Sequence, residues 1–234
     1  MRNDAPSLGN KTSDRVAAAL RAVVSAVPFA GGLLSEIITE VIPNQRAERV
    51  ERFLIALSEK IDELDARDRY PTKEGPQLEL LEAGVRSAAA TSSLDKIRYL
   101  ANCVANGISD AESEAVRNQR IVRIISDLDP EEMIVLLSYK SRKSVDSRKF
   151  KEKYSNVFDL PMLFVGANQN DIKKHATFEA AKRHLLSLAL LDEEIQFDRD
   201  SGVAKQFAGR AQKRTGLTLV GRLVLFHAGL TDEI

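Results

Sequence analysis

The sequence predicts a mostly α-helical chain in which a helical bundle is followed by a small α+β domain. Three observations carry that expectation. Apolar residues recur at three- and four-residue steps through most of the first 140 positions. Ala, Leu, Glu, Lys and Arg are abundant, while Trp is absent and aromatic residues make up only 6%, a balance that suits helices better than a β-sandwich. In the last quarter the period changes from helical to alternating.

Taken in order, residues 1–14 are polar, with Pro6 and Gly9, and are expected to form a loose arm. Thr12-Ser13-Asp14 offers N-cap oxygens for a helix through Val16, Leu20, Val23, Val24 and Val27. Pro28-Phe29-Ala30-Gly31-Gly32 interrupts it, and a second apolar run follows from Leu33 to Val41. Residues 15–43 therefore predict an apolar helical hairpin. It is too short and too interrupted for a spanning helix of roughly twenty apolar residues. It suits a buried core hairpin, self-association or membrane contact, the last two through Val24, Val27, Phe29, Leu33, Leu34 and Ile37.

The bundle is expected over residues 44–140. Val50, Phe53, Leu54, Leu57, Ile61 and Leu64 place an apolar stripe on a helix over 45–68, and Tyr70 to Pro76 reads as a loop. Three helices follow closely, as antiparallel neighbours do. Leu78, Leu81 and Val85 face inward from the first; Leu94, Ile97, Leu100, Ala101 and Val104 from the second, with Gly107 as its stop; Val116, Ile121, Ile124 and Ile125 from the third. Asp129-Pro130-Glu131-Glu132 is a strong helix start, because Asp accepts from free first-turn amides, Pro presets φ, and the acids face the positive end of the dipole.

Residues 141–158 are basic and poor in apolar side chains, and are expected to link the bundle to a second domain over 159–234. There Leu160 to Val165 reads as a short buried piece. Thr177 to Leu190 predicts a helix with Ala180, Ala181, Leu185 and Leu188 inward. Ile195 to Asp198 predicts a strand, Asp200-Ser201-Gly202 a turn, Val203 to Phe207 a returning strand, and Leu217-Thr218 the cap of a last helix ending near Gly229.

The formal charge is zero, which removes the simplest argument for nucleic-acid binding, yet Ser138 to Arg222 holds 17 Lys/Arg against 10 Asp/Glu. An anionic partner is expected there. Cys103 is the only cysteine, so no intrachain disulfide can form and a reducing compartment is implied; its helical setting favours an inert packed thiol over a reactive one. The N-terminus does not read as a secretion signal, because Arg21 interrupts its first apolar run. His175, His184 and His227 lack metal-ligand spacing, and no Gly-rich phosphate loop, nucleophile elbow or paired-Cys motif is present. Neither an enzyme nor a metal, cofactor or small-molecule substrate is expected.

The succession of Leu185 to Leu191, Glu194 to Phe207 and Leu217-Thr218-Leu219-Val220-Gly221 resembles a winged helix, making the expected second domain winged-helix-like. A DNA-reading version would place Lys173, Lys174, Lys182 and Arg183 near phosphates, with Lys205, Arg210, Lys213 and Arg214 on a basic wing. The resemblance speaks for fold, and such domains also serve as protein-interaction modules.

A second likeness covers residues 16–137. Pro43-Asn44-Gln45-Arg46, Leu80-Leu81-Glu82 and Leu100-Ala101-Asn102-Cys103-Val104-Ala105-Asn106-Gly107 make the chain similar to bacterial proteins of the abortive-infection alpha type. These share an apolar N-terminal stretch, a helix opening in Pro and basic residues, a helical bundle and a variable tail. The resemblance implies a role in responding to phage and supplies no catalytic residues. The combined expectation is a non-enzymatic defence-type or interaction protein, cytoplasmic or peripheral at the inner membrane. Its hairpin would self-associate or touch the membrane while its C-terminal domain binds a partner; the alternative is a DNA-binding regulator.

Overall fold

The computed structural model describes residues 44–64, 75–109, 112–140, 146–161, 167–198, 203–207 and 210–233. The expected arm and hairpin, with Val24, Val27, Phe29, Leu33, Leu34 and Ile37, lie outside the described residues. Among those described, the fold is mostly helical with small antiparallel β-ladders. The chain forms two compact units, one comprising 1–127 with 227–229 and the other 128–226 with 230–234.

Among the described residues the first unit packs four helices: α1 (Asn44–Glu63), α2 (Pro76–Ala90), α3 (Leu94–Ser109) and α4 (Glu112–Asp127). Helix α3 lies against all three others, α1 also meets α2, and α2 also meets α4. Phe53, Leu54, Leu57 and Ile61 form the α1 stripe and are completely buried, as are Leu80, Leu81 and Leu100 on the helices facing it and Ile125 on α4. Burying each such side chain contributes about 1.5–3 kcal/mol, and this apolar stripe stabilises the bundle far more than local propensity does.

Several inward assignments fail at the helix ends. Leu64, Leu94 and Val116 are exposed, because each lies in or beside a terminal turn, where no neighbour covers the stripe. Gly107 is also no stop, since α3 continues to Ser109. A Cβ at Gly107 would sit 2.4 Å from Leu80 and 2.7 Å from Asn118, so this glycine permits close helix packing.

The second unit begins at α5 (Pro130–Ser138), whose start has the expected chemistry. Asp129 accepts from the Glu132 amide at 2.8 Å, and the Glu132 carboxylate accepts from the Asp129 amide at 2.9 Å, closing a capping box. The segment expected as a basic linker instead carries α6 (Asp146–Lys153) and α7 (Ser155–Phe158). The Phe150 ring lies 4.8 Å from Tyr154 and 5.8 Å from Phe158, while Phe158 meets Phe178 edge-on at 6.2 Å. Four aromatic side chains thus anchor these short helices.

Phe178 belongs to α8 (Gln169–Ser187), which starts eight residues before its expected Thr177 because Asn168 caps it, accepting from the Asp171 amide at 2.9 Å. Its buried side is Ala181 and Leu185; Ala180, expected inward, is exposed. The helix stops at Ala189, whose φ is 55°, with Leu190 N–H donating to Leu185 and Ala189 N–H to Leu186.

Among the described residues four short strands follow: β1 (Leu191–Ile195), β2 (Gln206–Phe207), β3 (Arg210–Ala211) and β4 (Lys213–Leu217). The principal ladder pairs β1 with β4, Leu191 opposite Leu217 and Ile195 opposite Lys213. The expected partner of the first strand, residues 203–207, joins only its far end, through a Phe197–Ala204 bridge, and pairs β2 with β3. Gln196, Lys205 and Gln212 close a ring of backbone bonds, 196 to 212, 212 to 205 and 205 to 196, at 2.7–2.9 Å. The last helix, α9 (Leu219–His227), completes the order.

Candidate functional site

The base of the ladder is tied to the start of α9 by Thr218. Its N–H donates to the Leu190 carbonyl at 3.1 Å, its hydroxyl reaches the Ala189 carbonyl at 2.8 Å, and that hydroxyl accepts from the Gly221 amide at 3.0 Å. A Cβ at Gly221 would lie 2.3 Å from the Leu190 carbonyl oxygen. The Leu-Thr-x-x-Gly pattern therefore has a local reason: Thr caps the helix, and Gly lets it approach the strand.

The far end of the ladder is different. Ile195, Phe197 and Val203 are 44%, 60% and 61% exposed, so a locked base carries an apolar tip in solvent.

Among the described side chains, the expected cationic positions divide among separate settings. Lys182 and Lys213 converge on Glu193, at 2.7 Å and 3.1 Å, and Thr215 also donates to that carboxylate at 3.3 Å. Hydrogen bonds from Lys182 and then Lys213 hold the Glu193 carboxyl at about 2, against an ordinary 4.5, so it stays ionised and both lysines keep a counter-charge. Arg183 is exposed on α8, and Lys205 is exposed between the Phe197–Ala204 bridge and β2. Arg210 lies in β3, and its side chain is outside the described residues.

Arg214 and Gly216 line a groove of about 580 Å³ on the alternate positions of the ladder, together with Asp192, Glu194, Lys140 and Arg222. The mixed signs there disfavour a polyanion. Lys173 and Lys174 line a second groove, of about 340 Å³, beside Thr177 and Phe178 of α8, with α5 and α7 forming its other walls.

The histidines serve separate contacts. His184 Nδ1 lies 2.7 Å from the buried carboxylate of Glu132, His175 Nε2 lies against the Pro161 carbonyl, and His227 is buried. Among the described residues no group of His, Cys, Asp and Glu is placed to hold a metal ion, and no helix is long and apolar enough to cross a membrane. Cys103 is fully buried, and burial pushes its thiol far above the ordinary range.

Sequence reasoning missed β4, because Lys213-Arg214-Thr215-Gly216-Leu217 offers little β-propensity. It missed Glu193 for the same reason, although alternation of Leu191, Glu193 and Ile195 on one side was available as a signal. Comparison of the chain with protein-family models, curated proteins and solved structures finds no match.

Proposed function

We propose that this chain is a non-enzymatic bacterial interaction protein of the phage-defence type. Its apolar N-terminal segment mediates self-association or membrane contact, and its second unit, a winged-helix-like module, docks a protein partner through the wing. The single observation that carries the docking role is the exposure of Ile195 and Phe197, two residues apart on one side of a ladder fixed at its base by Thr218. Apolar side chains held out on a braced hairpin bury area on association with little ordering cost. The defence role rests on the likeness over residues 16–137.

The DNA-binding reading draws less support. Lys182 and Lys213 would have to exchange Glu193 for phosphate, and Asp192, Glu194 and Glu233 share the groove with Arg214.

Replacement of Phe197 by a photo-crosslinking phenylalanine analogue in the full chain tests the proposal in cells. The expected result is a discrete protein adduct that disappears when Ile195 is also changed to Asp. Irradiation giving no protein adduct would remove the docking role.

A further inference from the structure

We infer that the groove between α8 and helices α5 and α7 is a binding site for a small monoanionic amphiphile, a carboxylate on a compact apolar body. This goes beyond the docking role of the wing and does not depend on it. The cavity, about 340 Å³, is at the lower end of the range that small-molecule pockets occupy. Its floor is apolar: Val135, Val157 and Ala181 are buried there. One wall is Phe178, held in place by its edge contact with Phe158.

The rim is polar and cationic. Lys173 and Lys174 stand on it with Thr177, and α7 adds Asn156. Spacings of 173, 174, 177 and 181 put these side chains along one side of the helix, the lysines above the apolar floor. Lys182 and Lys213 have Glu193, whereas Lys173 and Lys174 have no ion pair among the described residues.

Glu131 is the one acid among the described residues lining the groove, which leaves two positive charges against one negative. That balance suits a single carboxylate better than a dianionic phosphate. Burial against Val135, Val157 and Phe178 supplies affinity, and the lysines orient the charged end. Lysines without such a floor would hold an anion only weakly, since exposed charge pairs contribute little in water.

Titration of the full chain with sodium octanoate below its micelle range, followed by calorimetry, tests the site. The parent is expected to bind saturably, and 1-octanol and octylamine more weakly. Replacing Lys173→Gln and Lys174→Gln together should weaken octanoate by about fivefold or more, while Glu131→Gln should tighten it by about fivefold, the factor one nearby charge contributes in water. The opposite signs separate a real site from damage to the fold. Absence of saturable binding, equal affinity in all variants, or octylamine binding as well as octanoate would overturn the assignment.

Discussion

The amide of Thr218 donates to the carbonyl of Leu190 at 3.1 Å, joining the first residue after α8's terminal turn to the first residue before α9. The contact brings together two places 28 residues apart in sequence and sets where the β-ladder begins. Replacing Thr218 by Val keeps the shape and removes the cap, and should cost about 1 kcal/mol, within the range for lost N-caps. Thr218→Ser should retain most of that stability. Gly221→Ala should cost more than either, because its new methyl would press on the Leu190 backbone. Urea unfolding of the three variants gives the order directly.

Glu132 serves two helices at once. One carboxylate oxygen closes the α5 capping box and the other meets His184 Nδ1 at 2.7 Å, with the side chain only 9% exposed. Glu132→Ala should destabilise by about 2 kcal/mol, and His184→Ala by about 1 kcal/mol, as expected for lost buried hydrogen bonds. The double variant should fall short of the sum, since the two share one contact. Additive effects in a double-mutant cycle would mean that the pair is uncoupled.

Ala189 holds a φ of 55°, whereas Gly229, past α9, holds 73°. An L-residue in the left-handed region costs roughly 1–2 kcal/mol. Ala189→Gly should therefore raise stability by about 0.5–1 kcal/mol, after the glycine's extra unfolded-state entropy is subtracted. Thermal melting should show a higher Tm; an unchanged or lower one would contradict the assignment of strain to this turn.

Glu193 makes stability depend on pH. Its carboxyl is lowered from 4.5 to about 2 by Lys182 and Lys213, so its contribution is fully present above 4.5 and is lost as pH falls toward 2. Glu193→Gln should be less stable than the parent at pH 7, and the gap should narrow between pH 4.5 and 2. Equal gaps at pH 7 and pH 3 in paired urea melts would show that the lysines do not hold the carboxylate in solution.

The bundle was legible because its helices carry their reason locally: the α1 stripe from Val50 to Ile61 repeats at helical spacing, and every one of those five apolar positions is buried. Asp129-Pro130-Glu131-Glu132 was equally readable, since a capping box uses residues three apart. What escaped depends on distant partners. Gly107 looks like a stop until Leu80 and Asn118 are seen against it, and α6 looks like a linker until Phe150 packs at a tilt against Phe158. β4 is polar in sequence and becomes a strand because β1 supplies its hydrogen bonds. The cations were found as residue types, but their division among Glu193 and two grooves follows from strand register for Lys213 and Arg214 and from helix packing for Lys173 and Lys174, neither of which a charge count contains.

The most direct test of the proposed self-association through the N-terminal segment is the mass in solution, measured by light scattering on the full chain with and without mild detergent. The expected mass without detergent exceeds the 25.9 kDa of one chain, and Leu33→Asp, Leu34→Asp and Ile37→Asp together should return it to that value. A mass of one chain for parent and variant alike, unchanged by detergent and with neither binding lipid vesicles, would contradict the account.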